Sequence, residues 1–169
     1  MSAPTPPPGP PREALDTLRS EKGYRHLGHD IGPADDPYAA GLGFTVALEK
    51  PGGFVGRDAL AAHDPRAPKH RTVYVTLDDP DIMLVHDEAL LRDGVEVGRL
   101  TSGAYGHTLG RAVGIAIVDP ALVDVATLEA GSVNGAGSGG FAVECRGIAV
   151  PATVSRRPFY DPRGERLRG

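Results

Sequence analysis

The C-terminal part of the chain alternates short apolar runs with turn residues, a pattern typical of antiparallel β-structure. Residues 72–77 (TVYVTL) alternate as a half-buried strand does, and residues 113–118 (VGIAIV) form the unbroken apolar run of a buried strand. Further strands are predicted at residues 89–92, 96–101, 141–145 and 146–154. Asp93-Gly94, between the first two of these, is the sequence of a type I′ hairpin. The pattern predicts a barrel or a jelly roll.

The N-terminal part has helical spacing instead. Residues 1–12 are rich in proline and contain almost nothing to bury, so they predict a disordered arm. Helical spacing follows at Ala14, Leu15, Leu18 and Glu21. A helix is therefore predicted near residues 12–19, and Gly23 lets the chain turn after it.

The segment between this helix and the first strand has weaker patterns. Residues 24–31 are expected to form an irregular link or a short strand. Asp35 or Asp36 is expected to cap a helical turn over residues 38–41. The remaining predictions are a strand at residues 44–48, a helix at residues 56–63 and a loop at residues 132–140.

Composition excludes several classes of protein. The 169 residues fit one compact unit, and 23 glycines and 16 prolines favour turns over long helices. A net charge of −4 gives no basic footprint, so neither nucleic acid nor a membrane is an expected partner. Cys145 is the only cysteine, which excludes an intrachain disulfide and favours a buried, unreactive thiol. Without an apolar leader or a spanning run, a soluble cytoplasmic protein is expected.

A series of motifs in fixed order carries a family resemblance. In chain order they are residues 16–25 (DTLRSEKGYR), 29–31 (HDI), 37–44 (PYAAGLGF), 53–60 (GFVGRDAL), 101–110 (TSGAYGHTLG) and 158–162 (PFYDP). The series resembles the C-terminal half of the glycine-cleavage T-protein (aminomethyltransferase) superfamily. The sequences of its motifs are similar to those in the folate-binding tails of dimethylglycine and sarcosine dehydrogenases. The resemblance covers residues 13–168, and the N-terminal half of the family is missing. Met1 and the proline tract are interpreted as a true start, hence as a separately encoded half.

The resemblance implies the fold class and the division of the chain. We expect an α+β protein, mainly β, in which residues 69–169 form an antiparallel six-stranded, jelly-roll-like β-barrel. Residues 13–68 would form a small α/β segment that completes a folate-binding lobe. The catalytic aspartate of the family lies in the missing lobe, so no catalytic residue is expected here. Elements cut from a sheet expose an edge and an apolar face, so this segment is expected to bind a partner chain or to dimerise.

Arg19 is the first candidate for the folate site that the resemblance implies. It matches the family position whose arginine lines the folate cavity, and a guanidinium held by a helix can bind a carboxylate through two N–H groups. The alternative is a structural ion pair with Glu21 or with the neighbouring lobe. Glu21 and Lys22 themselves are interpreted as architectural.

Three further residues are candidates for the same tetrahydrofolate site. Tyr105 offers a flat ring for stacking, and His107 adds a donor or a base close to neutrality. The alternative is that the glycines of residues 103–110 shape a corner of the barrel and that Tyr105 seals an interface. Arg71, at the start of the first barrel strand, is a weaker candidate for binding the carboxylates of folate.

Two observations limit the site. His26 and His29 stand three residues apart, but one histidine pair is too few ligands for a closed zinc site, and no metal is expected. Ala39 occupies a position where relatives usually have glutamate. If that carboxylate oriented Arg19 or a neighbour, the contact is lost, whereas a solvent-facing position would make the change harmless.

The functional hypothesis is the split half of an enzyme. With a partner that carries the missing lobe, the chain would help transfer a one-carbon unit from an N-methyl, O-methyl or aminomethyl donor to tetrahydrofolate. Two alternatives remain open from the sequence. One is a docking or assembly module without a folate role, and the other is a stand-alone folate-binding homodimer.

Overall fold

Six antiparallel strands close into a barrel in the computed structural model, which describes residues 12–128 and 138–169. The strands are β1 (Arg71–Leu77), β2 (Ala89–Arg92), β3 (Val95–Gly106), β4 (Arg111–Val118), β5 (Phe141–Cys145) and β6 (Ile148–Ser155). Their order around the barrel is β1-β4-β3-β2-β5-β6. The predicted antiparallel barrel is thus confirmed, and closure leaves no free sheet edge.

Three helices flank the barrel. They are α1 (Arg12–Lys22), α2 (Arg57–Ala61) and α3 (Glu165–Arg168). Short 3-10 turns lie at Gly43–Thr45, Val125–Thr127 and Ser138–Gly140. The helix predicted near residues 12–19 is present and longer than expected. Within the described residues, no helix has the length and the apolar content needed to cross a bilayer.

The barrel interior is the main hydrophobic core. Alternate residues of β1 point inward, and Val73, Val75 and Leu77 are fully shielded from solvent. Leu90 of β2 and Leu100 of β3 pack in the same cluster, also without exposure. Burying each such side chain stabilises the fold by about 1.5–3 kcal/mol.

The outer face of the barrel is covered on one side. Tyr74 of β1 and Ile115 of β4 point outward, yet they are buried in a second cluster with Phe159 of the C-terminal segment. Helix α1 packs against the outside of β3 and β4. The side chains of residues 72–77 therefore alternate between two buried environments, the barrel core and the outer cluster. The alternation predicts instead one buried face and one face in solvent.

A bulge in β3 reverses which residues of its second half face the barrel core. The pairing of β3 with β4 shifts between Leu100 and Ser102, so Leu100 faces the barrel core while Ser102 faces outward. A bulge adds one residue to a strand, and this reverses which residues lie on each face. Ser102 thereby comes to lie under helix α1.

The glycines of residues 103–110 suit a loop, but this expectation is wrong for the first part of the stretch. Strand β3 continues to Gly106, and only residues 107–110 form a turn. The glycines that suggested a loop serve close packing in the strand instead. A Cβ on Gly103 would lie 2.3 Å from the carbonyl oxygen of Val85, and a Cβ on Gly106 would lie 3.0 Å from Oε1 of Glu21.

The predicted strand at residues 44–48 is also wrong. Gly43–Thr45 forms a 3-10 turn, and 83% of the surface of Phe44 is exposed. Among residues 12–68 the structure contains one isolated bridge, between Leu27 and Ile31, and no strand. An alternating pattern becomes a strand only where another strand pairs with it, and none lies beside this segment in the described residues.

Other local predictions are confirmed. Asp93 and Gly94 both have positive φ, as a type I′ turn requires. Oδ1 of Asp36 accepts hydrogen bonds from the backbone N–H groups of Tyr38 and Ala39, which caps the expected turn. Most of the loop predicted at residues 132–140 lies outside the described residues, as does almost all of the predicted arm.

Gly23 connects α1 to the rest of the molecule. Its φ of +73° ends the helix, and a Cβ there would lie 2.4 Å from Cε1 of Tyr74 and 2.5 Å from Cγ of Pro158. We expect Gly23→Ala to lower the free energy of unfolding by about 2–4 kcal/mol, since left-handed strain adds to the clash. Urea denaturation measures the change.

The matched control for this substitution is Gly52→Ala. Gly52 has a φ of +80°, but nothing lies within 4 Å of the position of its Cβ. Gly52→Ala should therefore lower the free energy of unfolding by only about 1 kcal/mol, through the strain of a left-handed backbone. Equal losses at the two positions would contradict the close packing of Gly23 against Tyr74.

Candidate functional site

A buried carboxylate joins helix α1 to the barrel. The side chain of Asp30 has no exposed surface. Its Oδ2 accepts hydrogen bonds from Nη1 of Arg19 at 2.9 Å and from the backbone N–H of His26 at 2.7 Å. Its Oδ1 accepts one from Oγ1 of Thr101 at 2.6 Å. One side chain therefore fixes the helix, the following link and strand β3 relative to one another.

Arg19 is the cation of this network. Its Nε donates to Oδ1 of Asp16 at 2.7 Å, and its Nη2 donates to Oγ of Ser102 at 3.0 Å. The hydrogen bond from Arg19 lowers the pKa of the Asp16 carboxyl, against a smaller opposing effect of burial. Three of the five guanidinium N–H groups are thus engaged within the described chain, which leaves two for a ligand.

A cavity of about 450 Å³ opens beside the network. Arg12 and Leu15 of α1, together with Arg19, form part of its wall. His26 and His29 form another part, and their stacked rings have centroids 4.6 Å apart. Two arginines and several other hydrogen-bond donors, with the one carboxylate of Asp16 among the lining residues, thus surround a space of the size in which proteins bind small ligands. This lining suits a ligand that presents carboxylate or carbonyl oxygens.

Glu21 and Lys22 are structural, as expected. Both oxygens of the Glu21 carboxylate accept hydrogen bonds from the turn after β3, at 2.7 Å from the N–H and 2.9 Å from the hydroxyl of Thr108. Lys22 binds Asp161 of the C-terminal segment, with 2.9 Å between Nζ and Oδ2. Glu21 is not the partner of Arg19. The structural ion pair of Arg19 exists, but with Asp16 and Asp30.

Tyr105 does not face the Arg19 network. Cross-strand partners lie on the same face of a sheet. Ser102, which binds Arg19, pairs with Ile115 of the outer cluster, whereas Tyr105 pairs with Ala112 of the barrel core. The two β3 side chains therefore lie on opposite faces of the strand. Tyr105 instead contacts His107 edge to face, with ring centroids 5.2 Å apart.

His107 and Arg71 lie in separate depressions. His107 is exposed and lines a hollow beside α1, together with Thr17 and Leu18. Arg71 donates from Nη2 to the carbonyl oxygens of Pro65 and Arg66, at 3.3 and 3.0 Å. The four residues predicted for the folate site are thus not brought together within this chain.

Ala39 does not face solvent. It is 1% exposed, and its carbonyl oxygen accepts a hydrogen bond from Oγ1 of Thr72 at 3.2 Å. One alternative is that position 39 faces solvent, which would make the change from glutamate harmless. That alternative is wrong for this chain. No contact in the described residues joins Ala39 to Arg19.

The other two chemical possibilities are a metal site and a reactive Cys145. In the part of the chain that the structure describes, no three His, Cys, Asp or Glu side chains are grouped so as to hold a metal ion. Cys145 is buried in the barrel, and burial together with the charge of Glu88 raises the pKa of its thiol. A protonated thiol is a poor nucleophile, so the structural interpretation of Cys145 holds.

The sequence reasoning missed Asp30, Thr101 and Ser102. The signal available was that Asp30 stands in the HDI motif, close to candidate His29. The true partners of Asp30 are distant in sequence, since Thr101 is 71 residues away, and only the bulge in β3 exposes Ser102 to Arg19.

The fold and this network define a class of barrel domain with a helix fixed to its outer face. Residues 70–161 match the family described as the glycine cleavage T-protein C-terminal barrel domain, and residues 11–50 match the GCVT N-terminal domain. The first match covers more than half of the chain. The chain belongs to the glycine-cleavage T-protein (aminomethyltransferase) family.

Three known proteins illustrate this membership. The chain is 63% identical over 156 residues to the 4-methylaminobutanoate oxidase (formaldehyde-forming) of Paenarthrobacter nicotinovorans, a match that covers 92% of this chain and 17% of the relative. It is 32% identical over 157 residues to the mitochondrial sarcosine dehydrogenase of Homo sapiens, covering 92% of this chain and 16% of the relative. The crystal structure of the glycine cleavage system aminomethyltransferase T from Bartonella henselae matches with a TM-score of 0.69 and 25% identity. That match covers 88% of this chain and 38% of the other. The chain thus spans less than half of each.

The network predicts unequal roles for the two aspartates that bind Arg19. We expect Asp30→Ala to lower the free energy of unfolding by about 3–5 kcal/mol, because it leaves a largely buried guanidinium without its buried partner. Asp16→Ala should cost less than about 1 kcal/mol, since 49% of the Asp16 side chain is exposed. Urea denaturation of both variants measures the difference. A loss at Asp30 no larger than that at Asp16 would refute the anchoring role.

Proposed function

We propose that this chain forms the C-terminal wall of a tetrahydrofolate site, and that an aminomethyltransferase N-terminal lobe on a second polypeptide forms the other wall. The assembled protein would transfer a one-carbon unit to tetrahydrofolate. The observation that carries this proposal is the cavity beside Arg19, which Arg12 and Arg19 line with their guanidinium groups and which the exposed Leu15 of α1 borders.

The exposed face of α1 supports the docking of a lobe. Leu15 and Leu18 are three residues apart, hence neighbours on the helix surface, and they are 57% and 62% exposed. Large exposed apolar side chains also occur in the following segment, at Leu27, Phe44 and Val55. Large exposed apolar side chains that neighbour one another, as Leu15 and Leu18 do, mark protein–protein contact sites. The lobe is the expected occupant, because residues 11–50 match the family's N-terminal domain and relatives are much longer than this chain.

The cavity residues fit part of a folate molecule. Members of the family depend on folate. Arg12 and the free N–H groups of Arg19 suit its carboxylates, and the rings of His26 and His29 suit contact with a flat aromatic group. Tetrahydrofolate supplies the nitrogen acceptors that take up the carbon. Tyr105, His107 and Arg71 remain candidates only if the lobe extends the site across the separate depressions.

This chain would contribute positioning rather than acid–base chemistry. The Asp30 network fixes Arg19, and Arg19 with Ser102 orients one end of the ligand. Docking of the lobe on Leu15 and Leu18 would exclude water from the cavity and bring the general base to the donor. No side chain of this chain is assigned the catalytic proton transfer.

The names of two relatives indicate the class of carbon donor. One relative acts on 4-methylaminobutanoate, and the other acts on sarcosine. Both compounds are amino acids that carry an N-methyl group. We therefore assign an N-methylated amino acid as the source of the carbon, in preference to an O-methyl donor.

A second candidate function rests on Arg19 itself. Most of its N–H groups are used within the chain, as in a purely structural ion pair. This favours the alternative of a docking module that stabilises the lobe and has no contact with folate. The two functions differ in whether substitutions in the cavity weaken folate binding.

A chimera tests the proposal without an identified partner. The 156 matched residues of the Paenarthrobacter nicotinovorans relative are replaced by those of this chain, and tetrahydrofolate is titrated by calorimetry. We expect the chimera to bind as the unmodified relative does. Arg19→Gln in the chimera should weaken binding about tenfold or more, through loss of charge-assisted hydrogen bonds.

Two further variants separate binding from folding. Arg12→Gln removes an exposed cavity cation that has no side-chain partner in the described residues, and should weaken binding about threefold or more at unchanged thermal stability. Arg66→Gln, an exposed position that does not line the cavity, should change nothing. Unchanged binding in both cavity variants would establish the docking module. Binding by this chain alone would instead support the homodimer.

A further inference from the structure

A second cleft lies at the opposite end of α1 from Arg12. It has a volume of about 710 Å³. Its walls come from the end of α1, the turn around Gly41, the residues after β6 and the C-terminal segment. The proposed folate cavity uses none of these residues.

The cleft concentrates positive charge on an acidic chain. One carboxylate, that of Asp161, lies among the residues that line it, and the net charge of the chain is −4. Its cationic residues are Lys22, Arg25, Arg156, Arg157, Arg163 and Arg168. Clustered like charges repel one another unless an anion lies between them, so the cleft is a favourable place for an anionic ligand.

The neighbouring carboxylates do not neutralise these cations. Asp161 is bound to Lys22, at 2.9 Å. Glu165 lies 3.6 Å from Arg163, but both side chains are largely exposed, so that pair contributes little. Arg156 and Arg157 have no carboxylate partner among the described residues. Both residues are exposed and line the cleft, so two guanidinium groups are available there to an anion.

Arg25, a partly buried cation of the cleft, has no carboxylate partner in the part of the chain that the structure describes. Its Nη1 and Nη2 donate to the carbonyl oxygens of Gly23 and Gly41, at 3.2 and 3.3 Å. Its guanidinium also lies 5.6 Å from the centre of the Tyr74 ring. Its Nε is buried and has no acceptor in the described part of the chain. A partly buried cation with only neutral partners favours an anion brought by a ligand.

The backbone that carries the two outer arginines is held in place. Oγ of Ser155 accepts a hydrogen bond from the N–H of Arg157 at 3.1 Å and donates to the carbonyl oxygen of Arg157 at 2.7 Å. These bonds fix the turn at the end of β6. Binding an anion there requires ordering of side chains only, which lowers its entropic cost.

We propose that this cleft binds a small polyanion, a ligand that presents two or more carboxylate or phosphate groups. Arg156 and Arg157 bind one anionic group at the mouth, and Arg25 faces the other from within. The planar guanidinium group binds carboxylates and phosphates alike through paired N–H donors. Paired anionic oxygens are therefore the property recognised, and carboxylates and phosphates are their two sources.

Calorimetric titration of the chain alone tests the site, with no folate and no lobe. The probes are citrate, pyrophosphate and, as a monoanion, acetate, all at low ionic strength. We expect one molecule of citrate or pyrophosphate to bind per chain, about tenfold or more tighter than acetate. If citrate binds more tightly, the ligand class is the polycarboxylates. If pyrophosphate binds more tightly, the ligand class is the oligophosphates.

Charge-matched double variants give the control. Arg156→Gln with Arg157→Gln should weaken binding of the better probe about tenfold or more, because both residues are exposed and their loss leaves the fold intact. Lys69→Gln with Arg146→Gln removes the same charge from exposed positions that do not line the cleft and should have little effect. Equal weakening in the two double variants, or no preference over acetate, would mean an adventitious ion only and would overturn the proposal.

Discussion

The carboxylate of Asp30 is the contact on which the arrangement of this chain depends. It has no exposure to solvent, and it binds Arg19 of α1, the backbone of His26 and Thr101 of β3. A charge can be buried only where such partners replace water. Helix α1 must therefore lie where Arg19 reaches Asp30, and the position of the helix determines the cavity beside it.

The same constraint leaves the outer side of α1 uncovered in the described residues. The same helix that is fixed on its inner side leaves Leu15 and Leu18 exposed on its outer side. The barrel is closed and has no comparable need for a partner. The chain thus combines a self-sufficient barrel with a helix whose outer surface and adjoining cavity are both open to a second body. In this family, we infer, that body is the N-terminal lobe.

The barrel was predictable from sequence, because each of its strands has its own alternating or apolar pattern and its hairpin has the signature Asp93-Gly94. The strand predicted at residues 44–48 is absent. A strand forms only where a neighbouring strand pairs with it, and the alternating pattern does not show whether such a neighbour exists. The site failed for a related reason. The resemblance identifies Arg19 and groups Tyr105 with it, but the bulge at Leu100/Ser102 turns Tyr105 to the face of β3 that lies away from Arg19. The residues after the bulge (SGAYG, 102–106) lack large aliphatic side chains, so the hydrophobic pattern does not reveal this change of face.

Hydrogen exchange tests the docking of a lobe on α1 most directly. Amide exchange is compared between this chain alone and the same residues within the Paenarthrobacter nicotinovorans chimera. The account predicts slower exchange in the chimera for Arg12–Lys22 and for residues 43–55, with the turn between β2 and β3 unchanged. Equal exchange of Arg12–Lys22 in both proteins, or protection confined to the barrel, would contradict it.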